Sequence, residues 1–239
     1  MIANIRETLE KEYPFRVELH AHTGPASPCG KATPEELVQL YLNAGFDGVV
    51  ITNHFSHATF GHISREAFVE TQIADYERAV KAAEGTKLKI YLGVEARFDE
   101  NGNDYLLYGV DREILGKIFD YLEMGLRPFR EEVKLPDSLL IQAHPFRDGC
   151  VPADGDLLDG IEVFNMHPNH NPRSALAALY AKENNIALCT AGTDFHHVKP
   201  GYIATAALRC KALPADSFEM AKLLRSGDFI FEIGDKFVF

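Results

Sequence analysis

Residues 17–23 of the chain are VELHAHT, a short apolar run that ends in two histidines separated by one residue. Side chains at positions i and i+2 of a β-strand point to the same face, so His20 and His22 can present two imidazoles to one point where the strand ends. This arrangement is typical of a pair of metal ligands. Because such pairs also occur on ordinary half-buried strands, the interpretation depends on the rest of the chain.

Strand-like and helix-like segments take turns along the whole sequence. The predicted strands are Phe15–His20, Asp47–Thr52, Lys89–Gly93, Asp104–Val110, Leu139–Ala143, Gly160–Phe164, Ile186–Ala191, Tyr202–Leu208 and Phe229–Ile233. Three predicted helices are Ile2–Glu12, Pro172–Asn184 and Pro214–Arg225. Three more are indicated by their caps: a capping box at Thr33 opens a helix that ends at Gly45, Ser64 caps a helix that runs to Glu84, and Asp111 caps a third. Such alternation favours an α/β fold with a parallel sheet or barrel.

Length and composition predict one domain, residues 1–239, in a reducing compartment. The chain has 239 residues, 46% of them hydrophobic and 25% charged, which is enough for one barrel-sized domain. Its four cysteines show no C-x-x-C spacing and do not suggest a disulfide framework. Residues 1–14 lack the apolar core of a signal peptide and no later segment approaches a membrane span, so we expect a cytoplasmic protein that does not contact a membrane.

The charge balance argues against nucleic acid as a bulk partner. The 24 Lys and Arg residues against 35 Asp and Glu residues give a formal net charge of -11, whereas binding to a polyanion needs a basic face that releases counterions. A small phosphorylated substrate stays compatible with this charge, because bound divalent metals can dominate the local field. The sequence does not indicate the oligomeric state.

Histidine or carboxylate residues stand at the ends of five strand candidates, at His20 with His22, at His54, at Glu95, at His144, and at Asp194 with His196. In a parallel barrel these ends lie on one rim, where barrel active sites form. Each residue alone has an ordinary explanation as a capping or packing residue. Together they suit Zn, Mn or Fe and exceed what one ion needs, so we expect a multinuclear centre of two to three divalent ions. Such a centre ionises a bound water near neutral pH and neutralises charge on a phosphoryl group.

The order of these motifs resembles that of the PHP (polymerase and histidinol phosphatase) family. The chain has H-x-H near its start, then T-[DN]-H, G-x-E, H-P and a late G-[ST]-D-x-H, spread from His20 to His196. The resemblance implies a distorted, TIM-like (β/α)7 barrel and, in most members, a trinuclear site in a metal-dependent phosphoesterase. It also implies the catalytic residues, which are Glu95, Asp194 and His196.

The resemblance further implies how the ligands divide among the ions. One metal would be held by His20, His22, Glu95 and Asp194. Glu95 would bridge to a second metal that also uses His144, and His54 with His196 would hold a third.

The chain departs from the family pattern at three places. Asn53 stands where most members have an aspartate before the histidine. No histidine follows Glu95 at the usual position, where only Asp104 is offered as a ligand. The ligand from the first loop is also missing as His or Asp, which leaves Cys29 as a substitute.

A second group of residues is predicted to lie near the rim and contact the substrate. Lys31, Arg97, Arg147 and Arg173 could bind a phosphate, although most Lys and Arg side chains are solvated surface charges. Five loop histidines could donate a proton to the substrate or its leaving group, although loop histidines need no such role; they are His57, His62, His167, His170 and His197.

We therefore expect hydrolysis of a small phosphomonoester, with chemistry like that of histidinol phosphatase. A phosphodiesterase or nuclease acting on nucleotides or oligonucleotides would use the same metal chemistry. An amidohydrolase also begins with H-x-H on a barrel and ends with an aspartate, but it commonly uses a lysine where this chain has Glu95. A non-catalytic PHP module that binds metal or a protein partner is the fourth alternative.

Overall fold

The computed structural model describes residues 2–199 and 201–239, in which strands and helices alternate. The strands are β1 (Phe15–Ala21), β2 (Gly48–Ile51), β3 (His54–Phe55), β4 (Lys89–Leu92), β5 (Val94–Ala96), β6 (Tyr105–Tyr108), β7 (Leu139–Gln142), β8 (Gly160–Asn165), β9 (Leu188–Gly192), β10 (Ala206–Cys210), β11 (Phe229–Ile233) and β12 (Lys236–Val238). The helices are α1 (Ile2–Glu12), α2 (Pro34–Asn43), α3 (His57–Phe60), α4 (Arg65–Ala83), α5 (Arg112–Tyr121), α6 (Leu126–Glu132), α7 (Ser174–Glu183) and α8 (Ser217–Ser226). The expected α/β class is confirmed.

The strands form two mixed six-stranded sheets. The first has the order β12-β11-β10-β1-β2-β4 and the second the order β3-β5-β6-β7-β8-β9. Parallel pairs join β1 to β2, β2 to β4, β3 to β5, β7 to β8 and β8 to β9, while β10 lies antiparallel to β1 and β6 lies antiparallel to both β5 and β7.

The expected closed barrel of parallel strands is therefore not what the described part of the chain forms. A parallel pair needs a long crossover connection, usually a helix, whereas antiparallel strands can follow a short loop. Only residues 97–104 separate β5 from β6, and only residues 234–235 separate β11 from β12, so short loops account for these two antiparallel pairs. The antiparallel pairs β6–β7 and β10–β11 are instead joined by longer connections that contain α5, α6 and α8.

The two sheets meet where strands are interrupted. Thr52 and Asn53 separate β2 from β3, and Gly93 separates β4 from β5, so the chain passes from the first sheet to the second at both points. An isolated parallel bridge joins Ala21 to Phe195, which places the end of β1 beside the segment that follows β9. His20 in β1 and His22 just after it are thereby brought beside Asp194, which follows β9.

Helix caps follow the sequence closely. The hydroxyl of Thr33 accepts a hydrogen bond from the backbone N–H of Glu36, and the Glu36 carboxylate accepts one from the backbone N–H of Thr33, as the predicted capping box requires. Ser64 and Asp111 cap α4 and α5 as predicted. The segments α3, α6 and β12 were not predicted, and β10 begins at Ala206 rather than at Tyr202.

An apolar core fixes the central strands. Side chains from both sheets and from α8 pack together in its central cluster, which includes Val17, Leu19, Val50, Tyr91, Leu106, Ile141, Leu208 and Met220. Burial of this apolar surface holds β1 in the interior, and His20 and His22 are fully buried with it. Among the described residues, no helix is both long and apolar enough to cross a bilayer.

Candidate metal centre

Glu95 lies at the centre of a cluster of histidines. Its Oε1 atom is 3.3 Å from Nε2 of His20 and 3.2 Å from Nε2 of His144. Its Oε2 atom is 2.7 Å from Nδ1 of His54 and 3.6 Å from Nε2 of His22. The two oxygens of one carboxylate thus face two different pairs of imidazoles.

Asp194 closes the other side of the cluster. Its Oδ1 atom lies 3.4 Å from Nε2 of His20, 3.3 Å from Nε2 of His22 and 3.2 Å from Nδ1 of His196. The structure therefore brings together all seven residues on which the family resemblance relies, namely His20, His22, His54, Glu95, His144, Asp194 and His196.

The donor atoms fit a metal better than they fit one another. The Nε2 atoms of His20 and His22 face each other at 3.1 Å. Oε2 of Glu95 is buried and, within the described residues, makes no hydrogen bond of acceptable geometry. Within this cluster, donor atoms that lie within 4.8 Å of one another form three sets, which are His20, His22 and Glu95; His22, His54 and His196; and His54, Glu95 and Asp104. Imidazole nitrogens with carboxylate oxygens suit Zn, Mn or Fe.

Two members of the cluster have an unusual backbone. His144 has a φ of 28° and Asp194 a φ of 52°, values in the left-handed region that residues other than glycine rarely adopt. Such conformations cost free energy and concentrate at functional sites. A glycine is also needed close by, because a Cβ atom at Gly192 would overlap with Cβ of His20 and lie 2.8 Å from Oε1 of Glu162.

Glu162 is the main residue of the centre that the sequence interpretation missed. It is buried, and its Oε1 accepts a hydrogen bond of 2.9 Å from Nδ1 of His20. Its Oε2 accepts bonds from the backbone N–H of His144 at 3.0 Å and from Nδ2 of Asn165 at 2.9 Å. Burial alone would lower the pKa of His20, but the buried carboxylates raise it well above its usual value. Because an ionised carboxylate only accepts hydrogen bonds, the proton that remains when the ring is neutral lies on Nδ1, which leaves the Nε2 lone pair for a metal. The available signal was an acidic residue in the apolar run of β8.

Glu18 and Asn53 hold the neighbouring backbone. Oε1 of Glu18, which is fully buried, accepts hydrogen bonds from the N–H groups of His20 and Thr193 at 3.0 and 2.9 Å. Asn53 accepts a bond from the N–H of Thr23 at 2.7 Å and donates one to its hydroxyl at 2.8 Å. The residue that stands where relatives have an aspartate therefore tethers the loop after β1.

Asp104 is engaged by two arginines. Arg97 donates two hydrogen bonds of 2.7 Å to its oxygens, and Arg147 donates one of 3.1 Å. Nε2 of His144 is 3.8 Å from Oδ2 of Asp104. The role of Asp104 as a metal ligand stays a prediction, and its visible role is to hold two guanidinium groups beside the cluster.

Cys29 lies beside the outermost pair of histidines. Burial alone would raise the pKa of its thiol, but hydrogen bonds with His196 and His54 outweigh this effect and bring the pKa to about 6. The sulfur lies next to the set of His22, His54 and His196, where a metal would need a further ligand. Ligation by Cys29 stays a prediction.

The histidines of the cluster respond to the buried carboxylates. Burial alone would lower the pKa of His54, but the charge of Glu95 raises it to about 10. His196 follows the same pattern through its hydrogen bond with Asp194, and its pKa is also about 10. His22 differs, because burial and the charges of His196 and His54 hold its pKa well below the usual value.

The cluster opens into a cavity of about 360 Å³. Of the side chains predicted to contact the substrate, six line this cavity, namely Lys31, Arg97, Arg147, His167, His170 and His197, whereas Arg173, His57 and His62 are not among its lining residues. His170 places Nδ1 3.9 Å from Oδ2 of Asp194. A larger hollow of about 750 Å³ is lined by side chains of β8, β9, α8, β11 and β12, among them Phe164 and Phe231, and lies away from this chemistry.

Comparison with known proteins identifies the fold of this centre. Residues 18–199 match the family model of the PHP domain. No curated protein matches the chain.

Three solved structures resemble the chain at low sequence identity. A two-domain protein from Bacteroides vulgatus containing a PHP-like metal-dependent phosphoesterase is 14% identical, with a TM-score of 0.61 over 93% of this chain and 66% of the other. An amidohydrolase from Chromobacterium violaceum, with bound sulfate and no metal, is 15% identical, with a TM-score of 0.51 over 77% of this chain and 88% of the other. A protein from Bifidobacterium adolescentis named as a metal-dependent phosphoesterase is 19% identical, with a TM-score of 0.48 over 77% and 89%.

Proposed function

The chain belongs to the PHP domain family, and on this premise we propose that it is a metal-dependent phosphoesterase that hydrolyses small phosphate monoesters. The observation that carries the proposal is the position of the buried histidine and carboxylate cluster, which forms the floor of a cavity that also presents Lys31, Arg97 and Arg147. Ligands for divalent ions and cations for a phosphate group therefore face the same space.

The ligand set we propose comprises His20, His22, His54, Glu95, His144, Asp194 and His196. Divalent ions, when bound, supply Lewis acidity toward a phosphoryl oxygen and favour ionisation of water near neutral pH. The chain's own contribution is to hold the donor atoms in place. Glu162 orients His20 through Nδ1, and the strained backbone at Asp194 directs its carboxylate toward both His20 and His22.

The cationic side chains position the substrate's phosphate. Arg97 and Arg147 share Asp104, which fixes their guanidinium groups and offsets part of their charge. Lys31 is exposed, and its Nζ atom has only a 3.5 Å contact with the carbonyl oxygen of Pro28, so its ammonium group can turn to a phosphate oxygen. We assign to His167 and His197 the contacts with the rest of the substrate.

The size and charge of the cavity support a monoester rather than a polynucleotide. A cavity of about 360 Å³ lies near the lower end of the range for small-molecule sites, which is roughly 300–1,000 Å³. A nuclease that follows a strand needs a basic track or a row of stacking aromatic side chains, and the chain has a net charge of -11 and no Trp. A phosphodiesterase acting on short nucleotides is the alternative that uses the same centre.

An amidohydrolase is the second candidate, because a solved protein with this fold carries that name. The central carboxylate favours phosphoester chemistry, since Glu95 occupies the position where binuclear amidohydrolases commonly use a lysine. A non-catalytic metal-binding module is disfavoured by the open cavity with three cationic side chains beside the cluster.

A substrate panel tests the proposal. The protein would be stripped of metal, reloaded with Zn²⁺, Mn²⁺ or Fe²⁺, and assayed for release of product from small monoesters, diesters, short oligonucleotides and amides. We expect monoesters to show a kcat/KM at least about 100-fold above that of diesters and amides, which corresponds to about 2.7 kcal/mol. Asp194→Asn should abolish turnover, while Asp235→Asn, a matched change at an exposed turn, should not. Faster cleavage of amides or diesters would contradict the monoester assignment.

The cellular location belongs to the same proposal. Cys29, Cys150, Cys189 and Cys210 are all free thiols. Free thiols are compatible with a reducing compartment, and we propose the cytoplasm. That residues 1–239 form one domain also remains our expectation.

A further inference from the structure

A second group of metal-binding side chains lies outside the centre described above. His57, His62 and Glu123 each offer one donor atom, and these atoms all lie within 4.8 Å of one another. His57 begins α3, His62 follows that helix, and Glu123 follows α5. We propose that these three residues form a peripheral site for a transition-metal ion such as Zn²⁺, separate from the phosphoesterase centre and independent of its activity.

His57 is already held as a metal ligand would be. Its side chain is 10% exposed, and its ring packs edge-on against Phe68 and Phe119 with centroid distances of 5.6 and 5.7 Å. Nδ1 lies 2.8 Å from Oδ2 of Asp99 and donates a hydrogen bond to it, because an ionised carboxylate can only accept. The lone pair of the neutral ring is therefore on Nε2. A histidine whose other nitrogen is bound by a carboxylate is the usual arrangement around zinc.

The other two ligands are exposed side chains that can complete the site. The ring of His62 lies 4.6 Å from that of His57, and its Nδ1 is 3.7 Å from Oε1 of Glu123. The side chains of His62 and Glu123 are 76% and 70% exposed, so both can turn toward an ion without disturbing the core. Two imidazoles with one carboxylate select Zn²⁺ and its neighbours over Mg²⁺ or Ca²⁺, which prefer oxygen ligands.

An ion at this site would connect two segments that flank the active centre. On the neighbouring part of the chain, Ser56, Ala58 and Thr59 line a hollow of about 310 Å³. Cys29, His54 and Arg97 line this hollow and also the cavity above the metal cluster. The ion would tie α3 to the end of α5 at Glu123 and so fix the wall of that hollow. The ion expected at this site is thus a divalent transition metal with a structural role.

The test measures the zinc affinity that depends on His62 and Glu123 in a chain whose main centre is weakened. The background variant is His22→Ala with Asp194→Ala, and Zn²⁺ is titrated against a competing chelator. We expect one bound ion per chain to depend on His62 and Glu123, with a Kd in the micromolar range. His62→Ala and Glu123→Gln should each weaken it at least tenfold, whereas Glu113→Gln, a matched change at an exposed glutamate of α5, should leave it unchanged. Because His62 and Glu123 are exposed, neither change threatens folding.

A second measurement covers the case in which the background variant does not fold. The chain with an intact main centre is then saturated with Zn²⁺, and its bound zinc is counted before and after His62→Ala and Glu123→Gln are combined. One ion fewer per chain supports the peripheral site. Equal zinc content in both chains, or binding in the background variant only at millimolar Zn²⁺, overturns it. Neither result depends on phosphoesterase activity, so failure of the peripheral site is distinguishable from failure of the proposed function.

Discussion

Glu162 accepts a hydrogen bond of 2.9 Å from Nδ1 of His20, although 142 residues separate the two in sequence. The bond crosses between the two sheets, because His20 is in β1 and Glu162 is in β8. It keeps Nδ1 as the proton-bearing nitrogen of the neutral ring, so that Nε2, which faces Glu95 and Asp194, is the nitrogen available to a metal. A residue that is not itself in the proposed ligand set thus determines how a ligand is presented.

Glu162→Gln should therefore weaken metal binding without removing any ligand. The amide keeps the shape of the side chain but loses the charge that raises the basicity of His20. We expect a loss of about 10- to 100-fold in metal affinity, as is typical when a partner of a ligating histidine is changed. Titration of the metal-free protein measures it, with Glu183→Gln, a change at the end of α7, as the control. Unaltered affinity in Glu162→Gln would show that Glu162 does not position His20.

Glu95→Gln should cost more than His54→Ala. Oε1 of Glu95 faces His20 and His144 while Oε2 faces His54 and His22, so loss of this carboxylate affects two sets of ligands at once. An amide offers only one oxygen and no charge. We expect Glu95→Gln to lose about half of the bound metal and at least about 1,000-fold in kcat, and His54→Ala to lose about 100-fold, differences of roughly 4 and 3 kcal/mol. Metal content and initial rates measure both, and equal mild losses would contradict a bridging carboxylate.

The sequence pattern predicted the metal ligands of the centre better than it predicted the residues that orient those ligands. His20, His22 and Asp194 were found because few residue types bind metals and because those residues follow apolar strands. Glu162 was missed for a physical reason, since a single acidic residue inside a strand is not distinguishable from one that faces solvent until the neighbouring strands are known. The same applies to Glu18, which the sequence placed beside His20 but whose hydrogen bonds with Thr193 and Tyr41 come from distant segments.

The order of strands was also beyond the sequence pattern. Alternation of helices and strands predicted the α/β class correctly, and local signals such as the capping box at Thr33 were confirmed. Pairing direction depends instead on connections such as residues 97–104, in which no helix follows β5, and on the register of β10 beside β1. These are long-range relationships, and the apolar pattern of a buried strand is the same whether its neighbour is parallel or antiparallel.

Metal uptake should release protons. The pKa values of His54, His144 and His196 are each raised to about 10 in the metal-free protein, so these rings carry protons below that pH. A metal binds only the deprotonated ring, and affinity must therefore fall as the pH falls, by about tenfold per pH unit for each displaced proton between roughly pH 9 and pH 7.

Calorimetry in two buffers of different ionisation enthalpy counts the protons released in this experiment. His54→Ala provides the control, because it should release one proton fewer than the unaltered chain. An affinity that stays constant from pH 9 to pH 7 would show that these histidines are not displaced from their protonated state, and hence that they do not ligate the metal.

Lys31→Ala should raise KM for a small phosphomonoester more than it lowers kcat. Lys31 lines the cavity, and its backbone N–H donates a hydrogen bond of 2.9 Å to the carbonyl oxygen of His196, which anchors the residue beside the metal cluster. Its ammonium group has no carboxylate partner among the contacts of the described residues, unlike Arg97 and Arg147, which bind Asp104. The free charge can therefore bind the phosphate in both the ground state and the transition state, and its loss changes KM alone. We expect KM to rise about 10-fold, or roughly 1.4 kcal/mol, with kcat within about twofold.

Lys222→Ala, a change on the exposed face of α8, should alter neither constant. A fall in kcat with KM unchanged would instead place Lys31 in contact with charge that develops only in the transition state, and no change in either constant would remove it from the substrate site.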